Sequence, residues 1–374
     1  MDTSAWSHSQ STVTASYPRS VKAGSAVSTS RCLLRAMRLL RSVPLPGCVV
    51  MRRAYQTGTQ WHLAYSSAML AWTVDHSSPG HLALREVADP VPGPHDAVIE
   101  VRAFAPNHGD LEMLAQHPDG TIPGWDAAGV VVAEAADGTG PRLGQEVVSL
   151  GTPGAWARRR LVTAESVGLA PRGADLGPLS VVPVAATSAL RGLRRLGPVL
   201  GRRVLIVGGT SAVGLFAVQL AARGGAEVVA TTRDPAAHER LRALGAHEVV
   251  ASPEELRADV AGALDLLGGP HLVRAFARLE PGGTLVALGH AAGEEERFVL
   301  GDLYGDDGRH DRSLSTFFLG AETDLGPDMT WLAHEIHAGR LDPAVGAVRP
   351  WRELADAVGP GARRAAGKTV LLVD

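Results

Sequence analysis

Two kinds of hydrophobic patterning divide the chain. From residue 69 onward, short apolar runs stand close together at 69–74 (Met-Leu-Ala-Trp-Thr-Val), 82–87, 97–104, 128–135 and 146–150, separated by Gly, Pro and Asp, including a Pro/Gly turn at 90–94. Strands of this length and spacing predict a small β barrel or sandwich. Near residue 180 the period changes. Helical patterns at 184–196, 212–223, 235–244 and 271–279 alternate with apolar runs at 203–207, 227–232, 247–250, 264–267 and 283–288. That alternation predicts βαβ units and a parallel sheet. A helix at 329–338 and a last strand at 368–373, after Gly367, close the chain.

Residues 1–68 follow neither pattern. They are rich in Ser, Thr and Arg and show one brief helical stretch, 33–40. This composition fits a poorly ordered extension, a misassigned start just before Met69, or an organelle transit segment. Eight Lys/Arg and one acid, Asp2, give it +7, which against −3 for the chain leaves −10 in residues 69–374. An acidic body without a basic stripe excludes nucleic acid as a partner. Both cysteines, Cys32 and Cys48, lie in the extension, so the body can form neither a disulfide nor a thiolate metal site. No run of 18 or more apolar residues is present, so no membrane span is expected. The body reads as cytoplasmic.

The most informative stretch is 204–221, Val-Leu-Ile-Val-Gly-Gly-Thr-Ser-Ala-Val-Gly followed by Leu-Phe-Ala-Val-Gln-Leu-Ala. An apolar strand enters a Gly-rich turn and then a helix, the context of a dinucleotide fingerprint. Gly208 allows the tight turn, the amides of Gly209, Thr210, Ser211, Ala212 and Val213 face a pyrophosphate, and Gly214 lets helix and strand approach. Ser211 stands where the pattern has a central Gly. The ribose-reading position, about 20 residues on, falls at Thr232 or Arg233. A small hydroxyl followed by a guanidinium suits a 2′-phosphate and favours NADPH over NADH, although a one-residue change of register would bring Asp234 to the ribose.

These residues resemble the quinone oxidoreductase (zeta-crystallin-like) branch of the medium-chain dehydrogenase/reductase superfamily. The fingerprint and 217–221 are similar to that branch's G-A-x-G-G-V-G-x-x-A-V-Q-L-A. Upstream, 101–110 (Val-Arg-Ala-Phe-Ala-Pro-Asn-His-Gly-Asp) is similar to V-x-A-x-x-x-N-x-x-D, and 123–131 (Pro-Gly-Trp-Asp-Ala-Ala-Gly-Val-Val) to P-G-x-D-x-A-G-x-V. The segments 183–189, 281–289 and 367–371 match later landmarks, so the resemblance covers about residues 69–374 in order.

The resemblance implies an α/β protein with two domains. A GroES-like β-rich catalytic domain would be formed by 69–190 and completed by 318–374, and a Rossmann doubly wound parallel-sheet domain by 191–317. It implies Asn107, Asp110 and Thr187 at the catalytic cleft, with Asn107 a donor to a developing oxyanion. Two alternatives remain beside these roles: a turn-forming Asn107, and a Thr187 whose hydroxyl is satisfied within its helix. It adds Gly289, Phe318, Leu319 and Lys368 to the cofactor residues, and implies a homodimer. Zinc-dependent members carry Cys where this chain has Asn107 and His where it has Trp125, which implies no metal; His108, Asp110 and Asp126 are the only candidates for a non-standard site. The implied activity is NADPH-dependent reduction of a small apolar carbonyl or quinone substrate, the alternatives being an enoyl-thioester reductase and a non-catalytic NADPH-binding protein.

Overall fold

The computed structural model describes residues 51–57, 60–65, 68–151, 154–306, 308–359 and 367–374. The stretch 33–40, Cys32 and Cys48 lie outside them. The chain divides into two compact units, Met1–Tyr65 and Ser66–Asp374. In the first, β1 (Met51–Thr57) and β2 (Gln60–Tyr65) pair antiparallel, from Met51 with Tyr65 to Thr57 with Gln60. The Ser/Thr/Arg-rich composition of the extension predicts no strand there, yet Tyr55, Trp61 and Tyr65 are strong β formers.

The second unit holds two principal sheets. The N-terminal half supplies β3 (Ala68–Val74), β4 (Leu82–Ala88), β5 (Ala97–Phe104), β6 (Asp126–Ala133), β7 (Glu146–Leu150), β8 (Arg159–Val162) and β9 (Val167–Leu169). β3 and β4 form a separate antiparallel pair. The central strand β5 pairs with β6, β8 and, from the far end of the chain, β17 (Lys368–Leu372), beyond which β16 (Val345–Pro350) is the edge. The tail strands are thereby hydrogen-bonded into the sheet of the N-terminal half. Phe104 lies stacked 6.0 Å from Trp156 and edge-on 6.5 Å from Trp351, and all three rings are fully buried.

The second sheet is parallel throughout. It contains β10 (Arg203–Val207), β11 (Glu227–Thr231), β12 (Glu248–Val250), β13 (Val260–Asp265), β14 (Leu279–Ala287) and β15 (Ser313–Thr316), in the order β12-β11-β10-β13-β14-β15. This is the doubly wound order, with its switch point between β10 and β13. Helices Ala212–Arg223 and Gly269–Ala277 follow β10 and β13. Every residue of β13 is buried, which is why its run of small residues shows no alternation. The two sheets share one core: Leu179, Val182 and Ala186 pack in the same apolar cluster as Ile206 and Phe216. The stretch joining them is a π-turn, Val182–Ala186, that continues as the helix Thr187–Arg195. Among the described residues no helix is long and apolar enough to cross a membrane.

Candidate active site

The Gly-rich turn closes at the end of β10. Gly208 has φ +83°, a left-handed conformation that favours glycine. Its N–H donates to the Thr231 hydroxyl at 3.0 Å, and the Gly209 N–H to the Thr231 carbonyl at 2.9 Å, so the turn is tied to β11. Ser211 is the N-cap of the helix Ala212–Arg223. Its Oγ accepts from Gly214 N at 3.0 Å and donates to Gly208 O at 2.9 Å. The departure from the glycine pattern is thus a capping residue in extended conformation. Gly214 has no room for a side chain, since a Cβ there would lie 2.4 Å from Gly208 O. The cap leaves the first-turn amides of Ala212 and Val213, which a helix cannot satisfy internally, as a fit for an anion.

The other expected cofactor residues, except Lys368, also cluster at the carboxyl ends of the parallel strands. Arg233 is exposed just beyond β11. Thr232 is buried, and its Oγ accepts from Asp234 N at 3.1 Å. Asp234 caps the turn at Pro235 by accepting from Ala236 N at 3.0 Å. Gly289 follows β14, where a Cβ would stand 2.7 Å from Leu266 O. Phe317 N donates to Ala287 O at 3.0 Å, bringing exposed Phe318 and buried Leu319 off the same end of the sheet. Asp265, which the sequence does not single out, ends β13. Its carboxylate accepts from Gly268 N at 2.7 Å, and burial pushes its pKa up to about 6.

The second group is buried and polar. Asn107 N donates to Asp110 Oδ2 at 2.7 Å, fixing the start of the short helix His108–Met113. The Asn107 side-chain amide donates to Asp110 Oδ2 and to Asp126 Oδ2, both at 3.0 Å, and its oxygen accepts from Lys368. Both amide hydrogens therefore point to carboxylates in this structure.

Lys368, expected among the cofactor residues, lies in this group instead. Its ammonium donates to Asp126 Oδ2 at 3.2 Å, Ala105 O at 2.9 Å, Pro106 O at 3.1 Å and Asn107. The reason is topological, because β17 pairs beside β5 and carries Lys368 to the loop that ends that strand. Asp126 Oδ1 accepts from Val184 N at 2.9 Å, reaching the π-turn. Thr187 is fully buried and donates its hydroxyl to Val182 O at 3.0 Å, the satisfied-helix alternative.

Arg160, also buried, donates to Trp125 O at 3.0 Å and Gly151 O at 3.1 Å. Burial pushes Asp126 up to about 6 against the pull of Lys368, raises Asp110, and lowers Arg160 to about 10. Arg160, within Arg-Arg-Arg-Leu-Val, does not stand out as a polar site in the sequence, and Asp126, at the head of an apolar strand, enters there only as a candidate for a non-standard metal site.

Residues 93–172 match the family described as alcohol dehydrogenase GroES-like domain, and 212–334 that described as zinc-binding dehydrogenase. The chain is 30% identical over 227 residues to 2-methylene-furan-3-one reductase of Solanum lycopersicum, covering 56% of this chain and 58% of that protein. It is 35% identical over 197 residues to trans-enoyl reductase tazE of Aspergillus terreus, covering 46% and 64%. The chain thus spans about three fifths of the length of these relatives. A crystal structure of 2-haloacrylate reductase superposes with a TM-score of 0.72 at 25% identity, covering 81% of this chain and 99% of the other. With two sheets of the matching kinds and both family domains in order, the chain belongs to the medium-chain dehydrogenase/reductase superfamily, in its quinone oxidoreductase-like branch.

Proposed function

We propose that this protein is an NADPH-dependent, zinc-independent reductase of quinones or α,β-unsaturated carbonyls. The observation that carries the reading is the capped turn at Gly208–Gly214 with Arg233 exposed beside it at the strand ends. A nicotinamide cofactor supplies the hydride when bound. The chain's own part is to hold and orient it: Ala212 and Val213 amides toward the pyrophosphate, Arg233 as a charge-assisted fork for a 2′-phosphate, and Gly289, Phe318 and Leu319 along the strand ends.

Zinc independence is supported by the donor set. Asn107 and Asp126 are already joined to an ammonium, Asp110 is held by Asn107, and a cation at that place would be repelled by Lys368. The names of the relatives, a furanone reductase, a trans-enoyl reductase and a haloacrylate reductase, support an alkene conjugated to an acyl group, and the trans-enoyl reductase keeps an enoyl-thioester substrate as the second reading.

We further propose the division into a catalytic domain, 69–190 with 318–374, and a nucleotide domain, 191–317, and a cytoplasmic homodimer. The dimer is supported by the edge strand β15 with exposed Leu314, preceded in the chain by exposed Leu300, Leu303 and Tyr304.

The test is a titration of the full chain with NADPH and with NADH by nicotinamide fluorescence, followed by 1,4-benzoquinone and a panel of enones. NADPH should bind the more tightly and be oxidised. Arg233→Ala should weaken NADPH by about 10- to 100-fold and leave NADH unchanged, the magnitude of one charge-assisted contact. Absence of NADPH binding would refute the reading, and binding without turnover would favour a non-catalytic NADPH-binding protein.

A further inference from the structure

The polar group is unusual in where its charges come from. Asp126 opens β6, Asp110 lies on the helix after β5, Arg160 on β8 and Lys368 on β17, so four segments meet. Only one member reaches the stretch that joins the two sheets. Asp126 Oδ1 accepts the Val184 N–H, 58 residues away in sequence. That amide belongs to the first turn of the π-turn and helix, where no intrahelical acceptor exists, and the preceding Pro183 has no N–H to offer. One turn later Val182 O accepts both the N–H and the hydroxyl of Thr187. Beyond Thr187 the helix packs against the end of β14, where a Cβ at Gly192 would lie 2.8 Å from the Leu288 side chain. A π-turn at such a junction is a frequent mark of a functional segment.

We propose that Asp126 is a positioning residue for hydride transfer, its carboxylate, locked by Lys368 and Asn107, holding the π-turn Val182–Ala186 and so the placing of Thr187 and of the helix that leads to the nucleotide sheet. The inference rests on the reductase reading for its kinetic consequence, but its structural consequence stands apart from turnover. Every neighbour that touches the carboxylate is a donor: Lys368 Nζ and Asn107 Nδ2 on Oδ2, Val184 N on Oδ1. A proton on Oδ2 therefore competes with Lys368 and Asn107 for its lone pairs, and a proton on either oxygen removes the charge that makes all three contacts strong.

The charged groups around Asp126 are Lys368 on β17, Asp110 on the helix after β5 and Arg160 on β8, whereas the π-turn itself, Val-Pro-Val-Ala-Ala, carries no titratable side chain. Burial holds the Asp126 proton more tightly than in the unfolded chain, so the carboxylate is present above about pH 6 and lost below it.

Hydrogen exchange on the full chain, read by mass spectrometry, tests this. Asp126→Asn keeps the volume but turns a donor toward Lys368 or Val184. It should speed exchange across 182–187 by about tenfold or more while β10 and β13 keep their protection. The double variant Asp126→Asn, Lys368→Met removes the facing ammonium and should recover part of that protection. In turnover, Asp126→Asn should lower kcat about tenfold or more with NADPH affinity changed less than about twofold.

Unchanged exchange at 182–187 in Asp126→Asn would overturn the proposal. If that variant loses protection everywhere, the wild-type chain decides: after correction for intrinsic rates, protection of 182–187 should fall on acidification with a midpoint near 6 while β10 and β13 hold, and a flat profile would overturn it. Failure of the wild type to bind or oxidise NADPH would count against the reductase reading and leave the exchange result standing.

Discussion

Replacing Gly214 by alanine adds a single methyl group at the tightest point of the phosphate turn. The new Cβ would lie 2.4 Å from Gly208 O and 2.9 Å from both the Cα and the carbonyl carbon of Gly209. All three neighbours are backbone, so no rotamer change relieves the clash. The turn must open by roughly 1 Å to restore carbon–oxygen contact distance. Opening stretches the Ser211 Oγ to Gly208 O bond and the Gly208 and Gly209 links to Thr231. Overpacking costs about 1–3 kcal/mol and each hydrogen bond lost about 1 kcal/mol, against about 1 kcal/mol regained from the better helix propensity of alanine. The net expectation is about 2–3 kcal/mol of stability, seen by urea unfolding followed through tryptophan fluorescence. Because the displaced backbone is the anion-facing turn, NADPH affinity should fall by about 100-fold or more. Ser211→Gly is the control: a glycine cap costs only a few tenths of a kcal/mol, about 0.3, and should leave NADPH bound. A Gly214→Ala protein with wild-type urea midpoint and NADPH affinity would refute the close-approach argument.

Two further predictions test other parts of the framework. Gln219 is buried in the helix after the turn and clamps both backbone groups of one tail residue, donating to Asp342 O at 3.1 Å and accepting from Asp342 N at 2.7 Å; Gln219→Leu keeps the bulk, leaves both backbone groups unpaired, and should cost about 2 kcal/mol in urea unfolding, a change under about 0.5 kcal/mol arguing that the clamp is not needed. Asp265, pushed up to about 6 by burial, binds its proton more tightly folded than unfolded, so its contribution to stability is full below the ordinary carboxylate range and is lost as pH rises through 6. Relative to Asp265→Asn, the wild type should lose about 1.4 kcal/mol of stability between about pH 5 and about pH 7.5, and equal pH slopes for the two proteins in urea unfolding would refute it.

Much of the framework was legible in the patterning. The runs at 97–104, 146–150, 203–207 and the helical stretch 212–223 coincide with their elements to the residue, because the last three stop at Gly151, Gly208 and Gly224 and the first stops one residue before Pro106. Besides β1 and β2, four strands were not seen. β8 is disguised by arginines, one of them buried, β9 and β15 are only three and four residues long, and β16 is an exposed edge containing Gly and Pro. β13 begins at Val260 rather than at 264, since its first residues are small ones with no contrast to read. In the site, the fingerprint was legible because it is local. Ser211 counted as a departure until its capping geometry made it a replacement.

The polar group was not legible, for a physical reason. Lys368 meets Asn107 and Asp126 across 261 and 242 residues, and no periodicity encodes a contact of that range. The pairing also answers a question the fold alone leaves open, namely why the charges are there. Removing a carboxylate and an ammonium from water costs several kcal/mol each, their attraction repays this only with good geometry, and apolar replacements of similar size are often neutral or stabilising. The upward displacement of Asp126 to about 6, in spite of Lys368, shows that burial outweighs the attraction here. What the charges supply, and an apolar cluster could not, is direction: one arrangement of donors around one carboxylate fixes the 105–107 loop, the tail strand and the π-turn relative to each other.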